Sequence, residues 1–168
     1  PMQTHDAFFN ITSPWGPMVG AHVGEHLSGL WFVGQAHFPR IQGHPMRPHP
    51  RLSKSLTTEL NAYAHGELTT FTIAVAPIGG SPHAQAVWRA LCAIPYGTTT
   101  TYGQLAQTIG HITGRASSPR AIGHAVARNP ISILIPCHRV IGANGQLTGY
   151  AGGIEKKTAL LRLEHAID

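Results

Sequence analysis

Cys137 stands between Pro136 and His138, with Arg139 and Val140 next, directly after the apolar run Ile131-Ser132-Ile133-Leu134-Ile135. A thiol is the strongest nucleophile a protein offers at neutral pH, yet little of it is thiolate unless a base or a cation lowers its pKa. His138 is the candidate base and Arg139 the candidate cation. A cysteine also packs well as a small buried hydrophobe, so residue type alone leaves both readings open. If residues 137 and 138 are extended, their side chains point to opposite sides of the chain. The expected relay is then Cys137–water–His138 rather than a direct contact.

A carboxylate completes this constellation. Glu164 follows Leu161 by three residues and Leu160 by four, so it shares their apolar face on a final helix predicted over about Ile154–Ala166. A carboxylate turned toward the core needs a partner. A histidine suits it, because a carboxylate on one ring nitrogen leaves the other free as a base. The alternative is an exposed glutamate at a helix end.

These residues must be positioned by the elements around them. Ser81 caps a predicted helix with Pro82 at its first position and Ala84, Val87, Trp88 and Leu91 on its apolar face; Pro95 stops it. Thr101 and Gln104 have capping-box spacing, and Tyr102, Leu105, Ala106 and Ile109 line a helix that Gly110 closes. Ser118-Pro119 opens a third helix with Ile122, Ala125 and Val126 inward, and Asn129-Pro130 ends it. The last two helices read as a helix-turn-helix or as an ordinary helical pair, since the connection His111–Ser117 exceeds the usual turn. Gly123, Ala125 and Ala127 keep the second of them thin enough for close approach to another surface. Arg120 lies in its first turn, where the helix dipole disfavours a cation, so it either acts outward or is simply solvated. Beyond the cysteine, Asn144-Gly145 signals a hairpin between short extended runs. Thr148-Gly149-Tyr150-Ala151-Gly152-Gly153 reads as a mobile loop. It could bring backbone N–H groups to a planar ligand beside Tyr150, or be plain surface.

The first half has a different character. Phe8–Thr12, Met18–Val23 and Leu30–Val33 alternate with turn signals at Ser13–Pro17 and Gly24–Gly29, predicting an antiparallel meander. Prolines 39, 45, 48 and 50 predict an irregular loop. Leu52, Leu56, Leu60 and Tyr63 predict a helix ended by Gly66, and Phe71–Val75 another strand. Pro77–Pro82 reads as a linker, which divides the chain into residues 1–80 and 81–168. The fold class is α/β (α+β): a small N-terminal antiparallel sheet with a helix, then a mostly helical domain.

The chain has 168 residues, enough to fold without staples. Its two cysteines are too few for a disulfide framework. Mean hydropathy is −0.03, and neither a membrane span nor a secretory signal is legible. The expectation is a monomeric, cytoplasmic, nucleoid-associated protein. A formal charge of +5 with only seven acidic residues favours polyanionic partners, nucleic acid first.

The run Asn129-Pro130-Ile131-Ser132-Ile133-Leu134-Ile135-Pro136-Cys137-His138-Arg139-Val140 resembles the signature of the O6-alkylguanine-DNA alkyltransferases, also called methylated-DNA–protein-cysteine methyltransferases. The likeness spans about Ser81 to Glu164 and includes Ile94-Pro95-Tyr96-Gly97, Thr101–Ala106 and Gly149–Gly153. The resemblance implies a winged helix-turn-helix-like element that binds the minor groove of duplex DNA. It implies a flipped O6-alkylguanine, and irreversible transfer of the alkyl group to Cys137 without a cofactor. By the same resemblance His138, oriented by Glu164, draws the thiol proton through water, and Tyr102 donates to guanine N3 and helps rotate the phosphate. Arg120 fills the gap left by the base, with Ala121, Gly123 and Ala127 against the DNA. The carbonyls of Cys137 and Val140 accept from the exocyclic amine, the Ala151 N–H bonds O6, Tyr150 walls the pocket, and Asn129 ties the recognition helix to the cysteine segment. The N-terminal half matches only a ribonuclease H-like layout.

Two departures stand out. The link before Arg120 is longer, predicting an extended loop over 110–118 whose Arg115 adds a phosphate contact, and Pro119 replaces the usual small residue. Some members bind a structural zinc through N-terminal cysteines, but no cysteine precedes Cys92, and His44 with His49 is a poor ligand pair, so no metal is expected. The competing readings are a non-catalytic binder of alkylated bases, a thiol hydrolase, and a purely structural basic domain.

Overall fold

The computed structural model describes residues 4–168. Three antiparallel strands come first, β1 (Ala7–Ser13), β2 (Gly16–Val23) and β3 (His26–Phe32), in that spatial order. Ser13 Oγ closes the first turn, donating to the Gly16 carbonyl at 2.8 Å and accepting from the Trp15 N–H at 3.1 Å. Alternation puts Phe8, Val19, Ala21 and Trp31 on one face, covered by Phe38 and Ile41 from the following loop. The turn expected over Gly24–Gly29 is shorter, and β3 carries Gly29 in its interior. The Trp31 ring occupies the space a side chain would need, since a Cβ on Gly29 would lie 2.0 Å from it. That glycine marks packing, not a turn.

The proline-rich segment is partly regular. Met46 bridges to Phe8 in parallel, with Arg47 N–H donating to the Phe8 carbonyl at 2.9 Å. Helix α1 (Pro50–Ala64) starts before Leu52 because His49 Nδ1 accepts the Leu52 N–H at 3.1 Å. His49, one of the pair set aside as metal ligands, is therefore a helix cap, with its ring 4.5 Å from that of His22. Leu52, Leu56, Leu60 and Tyr63 form the buried stripe of α1, each side chain contributing about 1.5–3 kcal/mol. Gly66, at φ 73°, ends the helix, with Glu67 N–H donating to the Ala62 carbonyl at 2.8 Å. Phe71–Val75 is not a strand; only Val75 bridges, to Leu27. The Glu59 carboxylate accepts the Thr72 N–H at 2.8 Å and also its hydroxyl, so that amide is unavailable to a ladder.

The chain forms two compact units: residues up to Gly79 with Pro130–Leu134, and Gly80–Asn129 with Ile135–Asp168. In the first, Pro130–Leu134 joins the sheet edge through Leu30, whose N–H donates to the Pro130 carbonyl at 2.8 Å and whose carbonyl accepts the Ser132 N–H at 2.9 Å.

The second unit holds α2 (Pro82–Cys92), β4 (Thr100–Thr101), α3 (Tyr102–Thr113), α4 (Pro119–Ala127), a single 3-10 turn (Cys137–Arg139), β5 (Val140–Ile141) and α5 (Ile154–Leu163). Ser81, Thr101 and Ser118 cap the first three helices, Thr101 with Gln104 as a reciprocal box. Helix α3 does not stop at Gly110 but runs to Thr113, with Gly114 left-handed at φ 69°. A glycine inside a helix costs only about 1 kcal/mol, whereas ending at Gly114 satisfies a left-handed cap. The expected loop over 110–118 is thus Gly114–Ser118. Trp88 Nε1 donates to the Ala125 carbonyl at 2.9 Å, locking α2 to α4. Asn144-Gly145 makes a turn, but no hairpin forms: Val140-Ile141 pairs in parallel with Thr100-Thr101 instead. Among the described residues no helix is long and apolar enough to cross a membrane.

Candidate active site

Cys137 opens the 3-10 turn, so the extended geometry expected for residues 137 and 138 is not found. Arg139 N–H donates to the Pro136 carbonyl at 3.0 Å, and Val140 N–H to the Cys137 carbonyl. At three residues per turn, successive side chains diverge by about 120° rather than 180°. His138 therefore turns into the core, where it is 0% exposed, while Cys137 retains 5% exposure.

Glu164 is the C-cap of α5 and 1% exposed. Its Oε2 accepts from His138 Nε2 at 2.8 Å. Arg139 grips the same carboxylate with Nε on Oε1 at 2.8 Å and Nη2 on Oε2 at 2.9 Å, and sends Nη1 to the Ile94 carbonyl at 2.6 Å. A carboxylate only accepts, so His138 Nε2 carries the hydrogen and Nδ1 holds a bare lone pair. Among the described residues Nδ1 has no hydrogen-bond partner. Burial holds His138 below the ordinary histidine range against the pull of Glu164, and Arg139 and Lys157 add to the lowering. It is a neutral base.

Burial pushes the Cys137 thiol above its ordinary value, while a hydrogen bond from Asn129 and the charge of Lys157 act the other way. The cation near the sulfur is thus Lys157, not Arg139, whose charge is committed to Glu164. Lys157 is 1% exposed, with Nζ donating to the Val140 carbonyl at 2.6 Å and the Thr148 carbonyl at 2.8 Å. Burial lowers its pKa to about 8, with the Cys137 charge opposing. Sequence reasoning missed Lys157, although Lys157, Leu160, Leu161 and Glu164 share one face by the same spacing that singled out Glu164. Asn129, just past α4, sends Nδ2 to the Ile135 carbonyl at 2.8 Å. Tyr102 lies close enough to the sulfur for a thiolate to raise its pKa, burial being the larger cause.

A thiol, a buried imidazole and a carboxylate now stand in one unit with a helix pair. Residues 82–166 match the family model described as 6-O-methylguanine DNA methyltransferase, DNA binding domain. A Mycobacterium tuberculosis methylated-DNA–protein-cysteine methyltransferase is 45% identical over 154 residues, 92% of this chain and 89% of its own. One from Methanosarcina mazei is 49% identical over 154 residues, covering 92% of this chain and 94% of its own. The chain belongs to the methylated-DNA–protein-cysteine methyltransferase family. Its fold is similar to the crystal structure of Mycobacterium tuberculosis OGT in complex with DNA, at TM-score 0.82 and 42% identity, covering 95% of this chain and 93% of that one.

The other residues singled out for a methyltransferase role lie in the same unit. The carbonyls of Cys137 and Val140 each already accept one hydrogen bond, from Val140 N–H and Lys157 Nζ; each keeps a second lone pair. The loop expected to be mobile is pinned at Thr148, whose carbonyl accepts from both Lys157 Nζ and Tyr102 Oη, the latter at 3.4 Å. Gly149, at φ 69°, passes the Tyr102 hydroxyl so closely that a Cβ would lie 3.4 Å from it. Tyr150 is buried and Ala151 half-buried. On α4, Arg120 is exposed, Ala121, Gly123 and Ala127 are half-buried, and a Cβ on Gly123 would lie 3.9 Å from the Tyr102 ring.

Proposed function

We propose that this chain repairs DNA directly, moving the alkyl group from O6-alkylguanine in duplex DNA onto Cys137 Sγ, once and irreversibly. The observation that carries the reading is the buried His138–Glu164 pair, which leaves Nδ1 as a neutral base beside the turn that holds the thiol. In the step, the Cys137 thiol gives its proton through an intervening water to Nδ1. The thiolate attacks the alkyl carbon, a C–S bond forms, and the C–O6 bond breaks with its electron pair moving into the purine. Tyr102 supplies a proton to N3 of the leaving base. The product thioether is not hydrolysed by water as a thioester would be, so no turnover follows.

Lys157 and Asn129 favour the thiolate as it forms. The second lone pairs on the Cys137 and Val140 carbonyls receive the exocyclic amine, Ala151 N–H meets O6, and Tyr150 walls the base. Because Cys137 is buried, the Thr148–Gly153 loop yields as the base enters. Helices α3 and α4 act as the helix-turn-helix pair, with Ala121, Gly123 and Ala127 against the minor groove and Arg120 replacing the flipped base. The first unit has a ribonuclease H-like layout, and the protein works in the cytoplasm at the nucleoid.

The test is incubation with a duplex holding one O6-methylguanine, followed by peptide mass mapping. One added methyl on the peptide containing Cys137, saturating at one equivalent, is expected. Repeated product release, or methylation elsewhere, would overturn the reading.

A further inference from the structure

From Leu68 to Ile154 the chain contains no aspartate or glutamate. The acidic residues of the second unit are Glu155, Glu164 and Asp168, all on or after α5. Helix α4 organises the unit's basic side chains: Arg120, His124 and Arg128 are spaced i, i+4, i+8 and all are exposed. The opposite side of the helix, Ile122, Ala125 and Val126, is buried, and the Trp88 bond to Ala125 fixes its rotation. The basic stripe is thus held outward along about 12 Å of helix axis. Arg128 Nη1 donates to the His124 carbonyl at 3.3 Å, which keeps the guanidinium over the last turn.

The α3–α4 connection, ahead of the α4 N-terminus, carries a further cation, Arg115. It is tied down rather than slack. Thr113 Oγ1 donates to the Ile109 carbonyl at 2.8 Å and accepts the Arg115 N–H at 3.3 Å, which ties the start of the loop to α3. His83 Nε2 and Ser117 Oγ are bonded at 2.9 Å, joining the loop to α2. The Arg115 side chain is left exposed. Among the described residues, Arg115, Arg120 and Arg128 form no ion pair with a carboxylate.

Resting on the DNA-repair reading above, we infer that Arg115 and Arg128 extend the DNA footprint on either side of Arg120, each neutralising one backbone phosphate of duplex DNA whether or not a damaged base is present. Phosphate neutralisation releases counterions, so the slope of log K against log salt changes by about 0.9 per contact. Binding of the full chain to undamaged duplex is measured by fluorescence anisotropy across a sodium chloride series. Arg115→Gln and Arg128→Gln should each flatten the slope by about 0.9, Arg128→Lys should restore it, and Lys54→Gln, on α1, should leave it as in the wild type. Unchanged slopes for both glutamine variants would overturn the inference, as would an equal loss in Lys54→Gln, which would mark net charge alone. Thermal unfolding checks each variant; if Arg128→Gln lacks its helix cap and unfolds, Arg115→Gln and Arg128→Lys still decide the outcome. In parallel, wild-type protein is treated with O6-benzylguanine as the free base, whose reaction needs no duplex. Failure of Cys137 to take the benzyl group would count against the alkyl-transfer reading, while the salt slopes judge the footprint separately.

Discussion

Arg139 and Glu164 meet fork to fork in the core, at 2.8 Å and 2.9 Å, and the same carboxylate holds the His138 ring at 2.8 Å. One buried anion therefore serves two masters in adjacent positions of the cysteine turn. It neutralises the arginine that braces the Ile94 carbonyl, and it sets the tautomer of the base.

Glu164→Gln removes the anion and leaves the Arg139 guanidinium buried without a counter-charge. Breaking one partner of a buried pair costs about 3–5 kcal/mol. The expected outcome is a large drop in unfolding free energy by denaturant titration, with loss of alkyl transfer. The double variant Glu164→Gln/Arg139→Met should recover much of the stability and little of the transfer rate. Equal recovery of both would mean the carboxylate acts only structurally.

His138 has a depressed folded pKa, so the sign of its linkage is set. The unfolded chain takes up this proton near pH 6.5, while the folded protein resists until lower pH. In that window the unfolded state binds more protons, so stability falls as pH falls below about 6.5. Midpoints of thermal unfolding across this range should show the decline, and His138→Gln should show a shallower one. An identical decline in the variant would assign it to other groups.

Lys157 supplies the positive charge beside the sulfur and loses its proton at about pH 8. The rate of alkyl transfer should climb with pH as the thiol ionises and level off above about pH 8, where this charge fades. Lys157→Met should react roughly ten times more slowly at pH 7, the equivalent of about 1.4 kcal/mol of lost thiolate stabilisation, and should keep climbing through pH 8. Stopped-flow alkylation with the free base reads both; a variant profile with the same plateau would reject the role.

The amino-acid sequence alone singled out most of the residues whose types could do chemistry and determined where most helices begin. Cys137 with His138 is a local pattern, Glu164 announced itself by sharing a face with Leu160 and Leu161, and Ser81, Thr101 and Ser118 are caps whose hydrogen bonds reach only three residues. Such features depend on near neighbours, so period and spacing reveal them. Tertiary structure decided the rest. Whether Phe71–Val75 formed a strand turned on Glu59 capturing Thr72; whether Gly29 was a turn or a packing site turned on the Trp31 ring. The 3-10 turn at Cys137, the fork of Arg139 on Glu164 and the burial of Lys157 against two carbonyls are long-range facts. A buried charge goes where a partner waits to satisfy it, and which partner arrives is settled only when the core closes.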